Sequence, residues 1–177
     1  MLRNAEEWTA TRDGGGNLAV FSHGNARVQL FGLSDRAYIR YVHIPTLAPE
    51  VIWGHSGFIA FDAQCNLAVS IMNCPSIQVF RFSDGQLLRT IELGMQDFEE
   101  ESSISGFAFD DAGHILVADN SNHHVRMLRY IDGAHVRTIG AYGSDEGLFW
   151  SPLCVAVDRN GLFAVCDNQN SRVQLFE

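Results

Sequence analysis

Short apolar runs separated by tight polar corners fill the chain, and none of them sustains the 3.6-residue period of a helix. The most telling stretch is HILVADNSNHHV, residues 114–125, where an apolar run from Ile115 to Ala118 meets the corner Asp119-Asn120-Ser121-Asn122 and leaves through His123-His124-Val125. The unit returns at 162–173 as LFAVCDNQNSRV, at 17–28 as NLAVFSHGNARV and at 66–77 as NLAVSIMNCPSI. Val20, Val69, Val117 and Val165 then stand in register, 49, 48 and 48 residues apart. Regular spacing over most of a chain marks repeated supersecondary units.

Each unit divides into four short runs. The first reads FIAFD (58–62), GFAFD (106–110) and CVAVD (154–158), blurred to TATRD (9–13) in the first unit. A turn follows (DGGG, DAQC, DDAG or DRNG), then the LAV-type run, then RVQLF (27–31), SIQVF (76–80), HVRML (124–128) and RVQLF (172–176). The third run alternates apolar and polar residues with period two, the pattern of a half-buried strand. The fourth follows a Ser-Asp or Asp-Gly corner, which aligns Asp35 with Asp84 and Asp132, and Arg40 with Arg89 and Arg137. Four-strand units at this spacing predict an all-β chain with essentially no helix, its units the blades of a β-propeller. The approximate blades are 8–42, 57–93, 105–140 and 152–177, within a single domain spanning 1–177.

The run from Pro152, PLCVAVDRNGLFAVCDNQNSRVQLF, resembles an NHL repeat, with its P-x-G-V-A-V-D, V-x-D-x-x-N and N-x-R-V-Q-x-F patterns. GFAFDDAGHILVADNSNHHVRML, in the third unit, is similar nearly as far. The first unit keeps Asn25-Ala26-Arg27-Val28-Gln29-Leu30-Phe31 but has Ser22 in place of the corner Asp, and the second has Ile71 and Cys74 at the two corner positions. The resemblance, to the propellers of tripartite-motif NHL proteins among others, implies a ring that is usually six-bladed and binds proteins or RNA, with some enzymes among its relatives. The chain reaches Glu177 straight after the third strand of its fourth unit. The expectation is therefore three complete blades and a fourth lacking its last strand, in a fragment of a longer protein or a subunit completed by another chain.

Composition narrows the chemistry. Hydrophobic residues at 46% with 19% charged are those of an ordered globular protein. All twelve basic residues are arginine, so no side-chain Schiff base and no P-loop lysine can form. A net charge of −9 argues against general affinity for nucleic acid. No run approaches the roughly 20 apolar residues of a membrane span. MLRNAEEW has no secretory apolar core, which gives an intracellular, cytoplasmic expectation. Cys65, Cys74, Cys154 and Cys166 show no zinc spacing.

Among candidate groups, Asp119 and Asn122, Asp167 and Asn170, and Asn25 could meet a cation or a ligand carbonyl. Recurrence in register favours structural corners, in which the side chains cap their own backbone amides. Cys154 and Cys166 flank the turn at Arg159-Asn160-Gly161, which puts them close on adjacent strands, as reduced thiols in preference to a disulfide. His23 and His123 share one corner position and face one rim. Neither catalytic nor metal-ligating residues are assigned, and no cofactor. The arginine set 40, 89 and 137 reads as charge guarding the blades' outer edges against pairing.

The connections between units carry the functional expectation, because binding residues concentrate on loops held by a rigid scaffold. Residues 43–56 hold Trp53 and His55. Residues 94–105 hold Asp97, Phe98, Glu99 and Glu100, with Phe98 expected on the surface. Residues 140–151 hold Tyr142 and Asp145, with Phe149 and Trp150 expected in the core. Aromatic rings beside carboxylates suit a protein partner bearing arginine or lysine, so the reading is a non-catalytic interaction or scaffold module whose protein partner docks on the loop face or completes the ring. RNA binding is the first alternative, disfavoured by the acidic charge. A metal-dependent, lyase-like enzyme is the second.

Overall fold

In the computed structural model the described residues are 8–12, 15–22, 27–35, 37–43, 57–71, 76–93 and 104–177. They form fifteen strands in four antiparallel sheets, and no helix is found among them. Blade 1 contains β1 (Trp8–Arg12), β2 (Asn17–Ser22), β3 (Arg27–Gly32) and β4 (Tyr38–His43). Blade 2 contains β5 (Gly57–Phe61), β6 (Leu67–Ile71), β7 (Ser76–Phe80) and β8 (Leu87–Glu92). Blade 3 contains β9 (Ile104–Phe109), β10 (His114–Asp119), β11 (His124–Arg129) and β12 (His135–Ile139). Blade 4 contains β13 (Pro152–Val157), β14 (Phe163–Asp167) and β15 (Arg172–Phe176). Strands pair with their chain neighbours throughout, so each blade is a meander.

The turns explain why the repeats fold alike. Between the first two strands, an aspartate accepts from the backbone of the turn that follows it: Asp62 Oδ1 from the N–H groups of Gln64 and Asn66, Asp110 Oδ1 from His114, and Asp158 Oδ1 from Asn160 and Leu162, all at 2.7–2.9 Å. Asx-type bonding of this kind fixes a tight turn. The turn ends in a left-handed residue, which is Gly16, Gly113 or Gly161 in three blades and Cys65 (φ 60°) in the second. A side chain in that conformation costs about 1–2 kcal/mol, against roughly 0.5–1 kcal/mol of extra chain entropy for glycine. Cys65→Gly is therefore expected to stabilise the protein by about 0.5–1 kcal/mol, read as a higher denaturant midpoint with an unchanged slope. Before each fourth strand, Asp35, Asp84 and Asp132 accept from the N–H two residues on, at 2.9–3.1 Å.

Alternate residues of a strand pack on opposite neighbouring blades, so strands such as β7 and β10 are buried on both faces, and every packed face lies between two blades. Val28, Leu30 and Phe21 of blade 1 meet Ile59, Leu67, Val69 and Phe80 of blade 2. Ile77, Val79 and Ile91 of blade 2 meet Phe107, Ile115, Val117 and Leu128 of blade 3. Leu116, Val125 and Met127 of blade 3 meet Val155, Phe163 and Val165 of blade 4. First strands neighbour one another from blade to blade, β1 with β5, β5 with β9 and β9 with β13. The blades approach closely at Gly57, where an added Cβ would lie 2.3 Å from the Phe21 ring, and at Gly106, where it would lie 2.8 Å from both Cα and Cβ of Cys154.

Two of the three aligned fourth-strand arginines, Arg40 and Arg89, do more than their sequence reading assigns. Arg40 stacks over the Phe82 ring of the next blade at 5.6 Å, and Arg89 lies over Tyr130 at 3.8 Å while donating to the Ile131 carbonyl at 3.2 Å. These guanidiniums bridge adjacent blades through cation–π contact, instead of only guarding an edge. The Tyr130 hydroxyl completes the second bridge by donating to buried Asp62 at 2.5 Å. Burial and that carboxylate push the Tyr130 phenol up to about 12, with Arg89 opposing.

Candidate functional site

The strand ends between β14 and β15, between β10 and β11, and in the connection 140–151 lie together on one rim. Asp167, at the end of β14, is fully buried. Its Oδ1 accepts from the Trp150 N–H at 2.7 Å, and its Oδ2 from Asn170 Nδ2 at 2.9 Å, Arg172 Nε at 2.8 Å and Gln174 Nε2 at 3.2 Å. Arg172 also donates to the carbonyls of Ser144, Asp145 and Leu148 at 2.7–2.8 Å, and Gln174 to Leu148 at 2.7 Å. The Gly147 N–H returns a bond to Gln174 Oε1 at 2.9 Å, and Asn170 Nδ2 reaches the Gly143 carbonyl at 2.9 Å. The Asp167 carboxylate and the side chains of Asn170, Arg172 and Gln174 thus hold residues 143–150 of the connection between blades 3 and 4.

Asp119, equally buried, occupies the matching place in blade 3. It accepts from the N–H and side-chain amide of Asn122 at 3.1 Å and stands 3.4 Å from His124 Nε2. Burial alone would raise both carboxyls. Hydrogen bonds from His124 and Asn122 to Asp119, and from Trp150, Asn170 and Arg172 to Asp167, outweigh it and hold both below the ordinary value of 3.8. A carboxyl depressed on folding contributes stability that is complete above its unfolded pKa, about 3.9, and is lost as pH falls through the folded value. Stability against urea is therefore expected to be flat from neutral pH to about 5 and to fall steeply below about 4. Asp119→Asn and Asp167→Asn each remove part of that acid slope.

At these corners Asp119 accepts from the backbone and side-chain amides of Asn122, whereas Asp167 and Asn170 also reach the incoming connection. His123 and His124 take different partners. His123, left-handed at φ 58°, accepts from the Ser151 N–H at 3.1 Å, while His124 turns to Asp119. Trp150 is not a core residue. Its backbone is tied at both ends, N–H to Asp167 and carbonyl from the Gln169 N–H at 3.0 Å, which leaves the indole 43% exposed. Phe149 is fully buried.

On this rim the Tyr142 ring, 62% exposed, stands 5.0 Å from the His123 ring and edge-on to Trp150 at 5.9 Å. Asp145 and Glu146 are exposed in the same connection. His23, Asn25, Trp53, His55, Asp97, Phe98, Glu99 and Glu100 lie outside the described residues. Arg172, Gln174 and Trp150 were missed as parts of the site. The signal for Arg172 and Gln174 is the repeated Arg-Val-Gln of the third runs, which reads as strand alternation until its reach to the preceding connection is known. Cys154 and Cys166 are register partners on β13 and β14, both free thiols; burial, then the Cys166 thiol, push Cys154 up to about 11.

Four antiparallel meanders packed face to face about their first strands make this a β-propeller. The NHL repeat model matches residues 102–127 and 149–176, so the third and fourth blades each carry an NHL repeat. A comparison with curated proteins finds no match. Among solved structures, a structural genomics protein of unknown function from Bacteroides thetaiotaomicron is 14% identical, with a TM-score of 0.70 over 94% of this chain and 46% of that one. Virginiamycin B lyase from Staphylococcus aureus is 12% identical, with a TM-score of 0.65 over 99% of this chain and 56% of that one. An auxiliary nutrient binding protein from Bacteroides thetaiotaomicron is 16% identical, with a TM-score of 0.64 over 96% of this chain and 48% of that one. The chain spans between 46% and 62% of the lengths of such neighbours. At these identities the likeness concerns the fold. No helix among the described residues is long and apolar enough to cross a membrane.

Proposed function

We propose that the protein is a non-catalytic interaction module that presents the 140–151 rim to a protein partner bearing arginine or lysine. The observation that carries the reading is the pairing of exposed Tyr142 and Trp150, nearly perpendicular at 79°, beside exposed Asp145 and Glu146. Perpendicular rings offer a face to a cation, and carboxylates beside them add attraction. Tyrosine and tryptophan also dominate the energetics of protein interfaces. The polar groups beneath support the same reading. The Asp119 and Asp167 carboxylates are buried and already bonded to internal donors, so they serve the shape of the rim and leave its outer rings as the contact surface.

The test is affinity capture from the producing cell with the wild-type chain and with Tyr142→Ala/Trp150→Ala side by side. A protein recovered in stoichiometric amount by the first and lost by the second is the expected result. Recovery of the same proteins by both, or a partner removed by ribonuclease, would overturn the reading in favour of another surface or of RNA.

A further inference from the structure

Residues 123 and 171 stand in register, each directly after a corner asparagine that bonds its aspartate. Both are left-handed, His123 at φ 58° and Ser171 at φ 51°. Serine takes up that conformation in blade 4, so the corner itself does not call for an imidazole. What the ring of His123 adds is a bond to the next blade. Its Nδ1 receives the Ser151 N–H at 3.1 Å. An amide N–H can only donate, so Nδ1 holds a lone pair, and in the neutral ring the hydrogen sits on Nε2.

That bond completes the support of one peptide unit. The Trp150 carbonyl accepts from the Gln169 N–H at 3.0 Å, and the N–H of the same peptide, that of Ser151, goes to His123. Ser151 depends on both holds. It is left-handed at φ 54° and stands directly before Pro152, a place that favours an extended residue. The orientation of this peptide decides where the Trp150 indole emerges. The His123 ring also lies 5.0 Å from the Tyr142 ring, tilted by 47°, and Tyr142 meets Trp150 edge-on. His123 thus supports both members of the aromatic pair, one ring to ring and the other through the backbone.

We propose that His123 is an acid-sensitive latch, which holds the Tyr142–Trp150 surface in place only while its ring is neutral. An added proton enters at Nδ1, where it meets the Ser151 N–H donor to donor. The hydrogen bond is lost, and the Trp150–Ser151 peptide is then held at one end only. As the imidazolium turns away, Tyr142 loses its neighbour. His114 and His124 are the opposite case. They face the carboxylates of Asp110 at 2.8 Å and Asp119 at 3.4 Å, contacts that survive an added proton. The other charged groups around the latch, among the described residues, are Asp119 beside His124, Asp167 and Arg172 behind Trp150, and exposed Asp145 and Glu146 in the connection that carries Tyr142. Release of a partner in acid rests on the rim being the contact surface proposed above, whereas the latch rests on geometry alone.

Proton–nitrogen correlation spectra of the 177-residue chain, from about pH 8 to about pH 5, test the latch with no partner present. His123 is expected to carry its hydrogen on Nε2 at neutral pH. The Ser151 amide and Trp150 indole resonances are expected to shift with the same midpoint as the His123 ring. His123→Gln supplies a carbonyl acceptor that does not titrate, so in that variant both resonances are expected to hold their neutral positions throughout. His124→Gln is expected to leave the shift intact. Three results would each defeat the proposal: a His123 ring still neutral at about pH 5, resonances unmoved while His123 titrates, or a shift that persists in His123→Gln or vanishes in His124→Gln. Partner capture by Tyr142→Ala/Trp150→Ala bears on the contact surface and not on the latch, so the two readings fail separately.

Discussion

Asp167→Ala is expected to destabilise the protein by about 3–5 kcal/mol, the largest effect of any single polar substitution in the described residues. The side chain is fully buried and takes four hydrogen bonds, from the Trp150 backbone and from Asn170, Arg172 and Gln174. Alanine leaves the Arg172 guanidinium without its counter-charge and the Trp150 N–H without an acceptor. The penalty for stranding such groups exceeds the net worth of the bonds themselves. Asp167→Asn retains an acceptor for Trp150 but loses the charge, so it is expected to cost roughly half as much. Urea unfolding of the three proteins at neutral pH gives the ordering directly. Near-equality of Asp167→Ala with wild type would mean that Arg172 is held by the carbonyls of residues 144, 145 and 148 alone.

Phe149→Ala is expected to cost a similar amount, about 3–5 kcal/mol, for a different reason. Phe149 is the one residue of the 140–151 connection that is fully buried, among Leu116, Val125, Val155 and Val165 at the junction of blades 3 and 4. Its ring tilts against Phe176 with centroids 5.6 Å apart, and it fills the space over Gly140, where a Cβ would come within 2.4 Å of it. Its own backbone is paired, N–H to the Ala141 carbonyl at 2.8 Å and carbonyl from the Gly143 N–H at 3.0 Å, so the peptide cannot slide to refill the hole. Truncation creates a cavity bounded by two blades. Phe149→Leu leaves a smaller one and is expected to cost less than half as much. A denaturant midpoint for Phe149→Ala within error of wild type would place the energetic centre of this junction elsewhere.

Much of the architecture was legible in the residues because the determinants are local. Period-two alternation fixes which residues of a strand share a sheet face, and Val20, Val69, Val117 and Val165 mark the same position in four sheets. The turn aspartates 62, 110 and 158 act within four residues of themselves, and sequence spacing captures that range. What lies across blades was not legible. Arg40 and Phe82 are distant in the chain, as are Arg89 and Tyr130, and nothing in either stretch alone tells an edge guard from a stacking cation. Trp150 failed as a core assignment because hydrophobicity favoured burial, whereas the backbone bonds to Asp167 and Gln169 decide where the indole points. The reach of Arg172 and Gln174 back to residues 144–148 is likewise a tertiary fact, since the alternation that reveals their strand is silent on what lies beyond its end.

The aromatic rim of the 140–151 connection is the proposed working surface. Its most direct test replaces Tyr142 with a photo-cross-linking phenylalanine derivative in the producing cell, with Asn160, on the exposed turn at the opposite end of β14, substituted as the control. A discrete adduct of one partner polypeptide at position 142, absent at 160, is the result expected. No adduct at 142, or an adduct found only at 160, would contradict the assignment and move the contact surface to the other end of the blades.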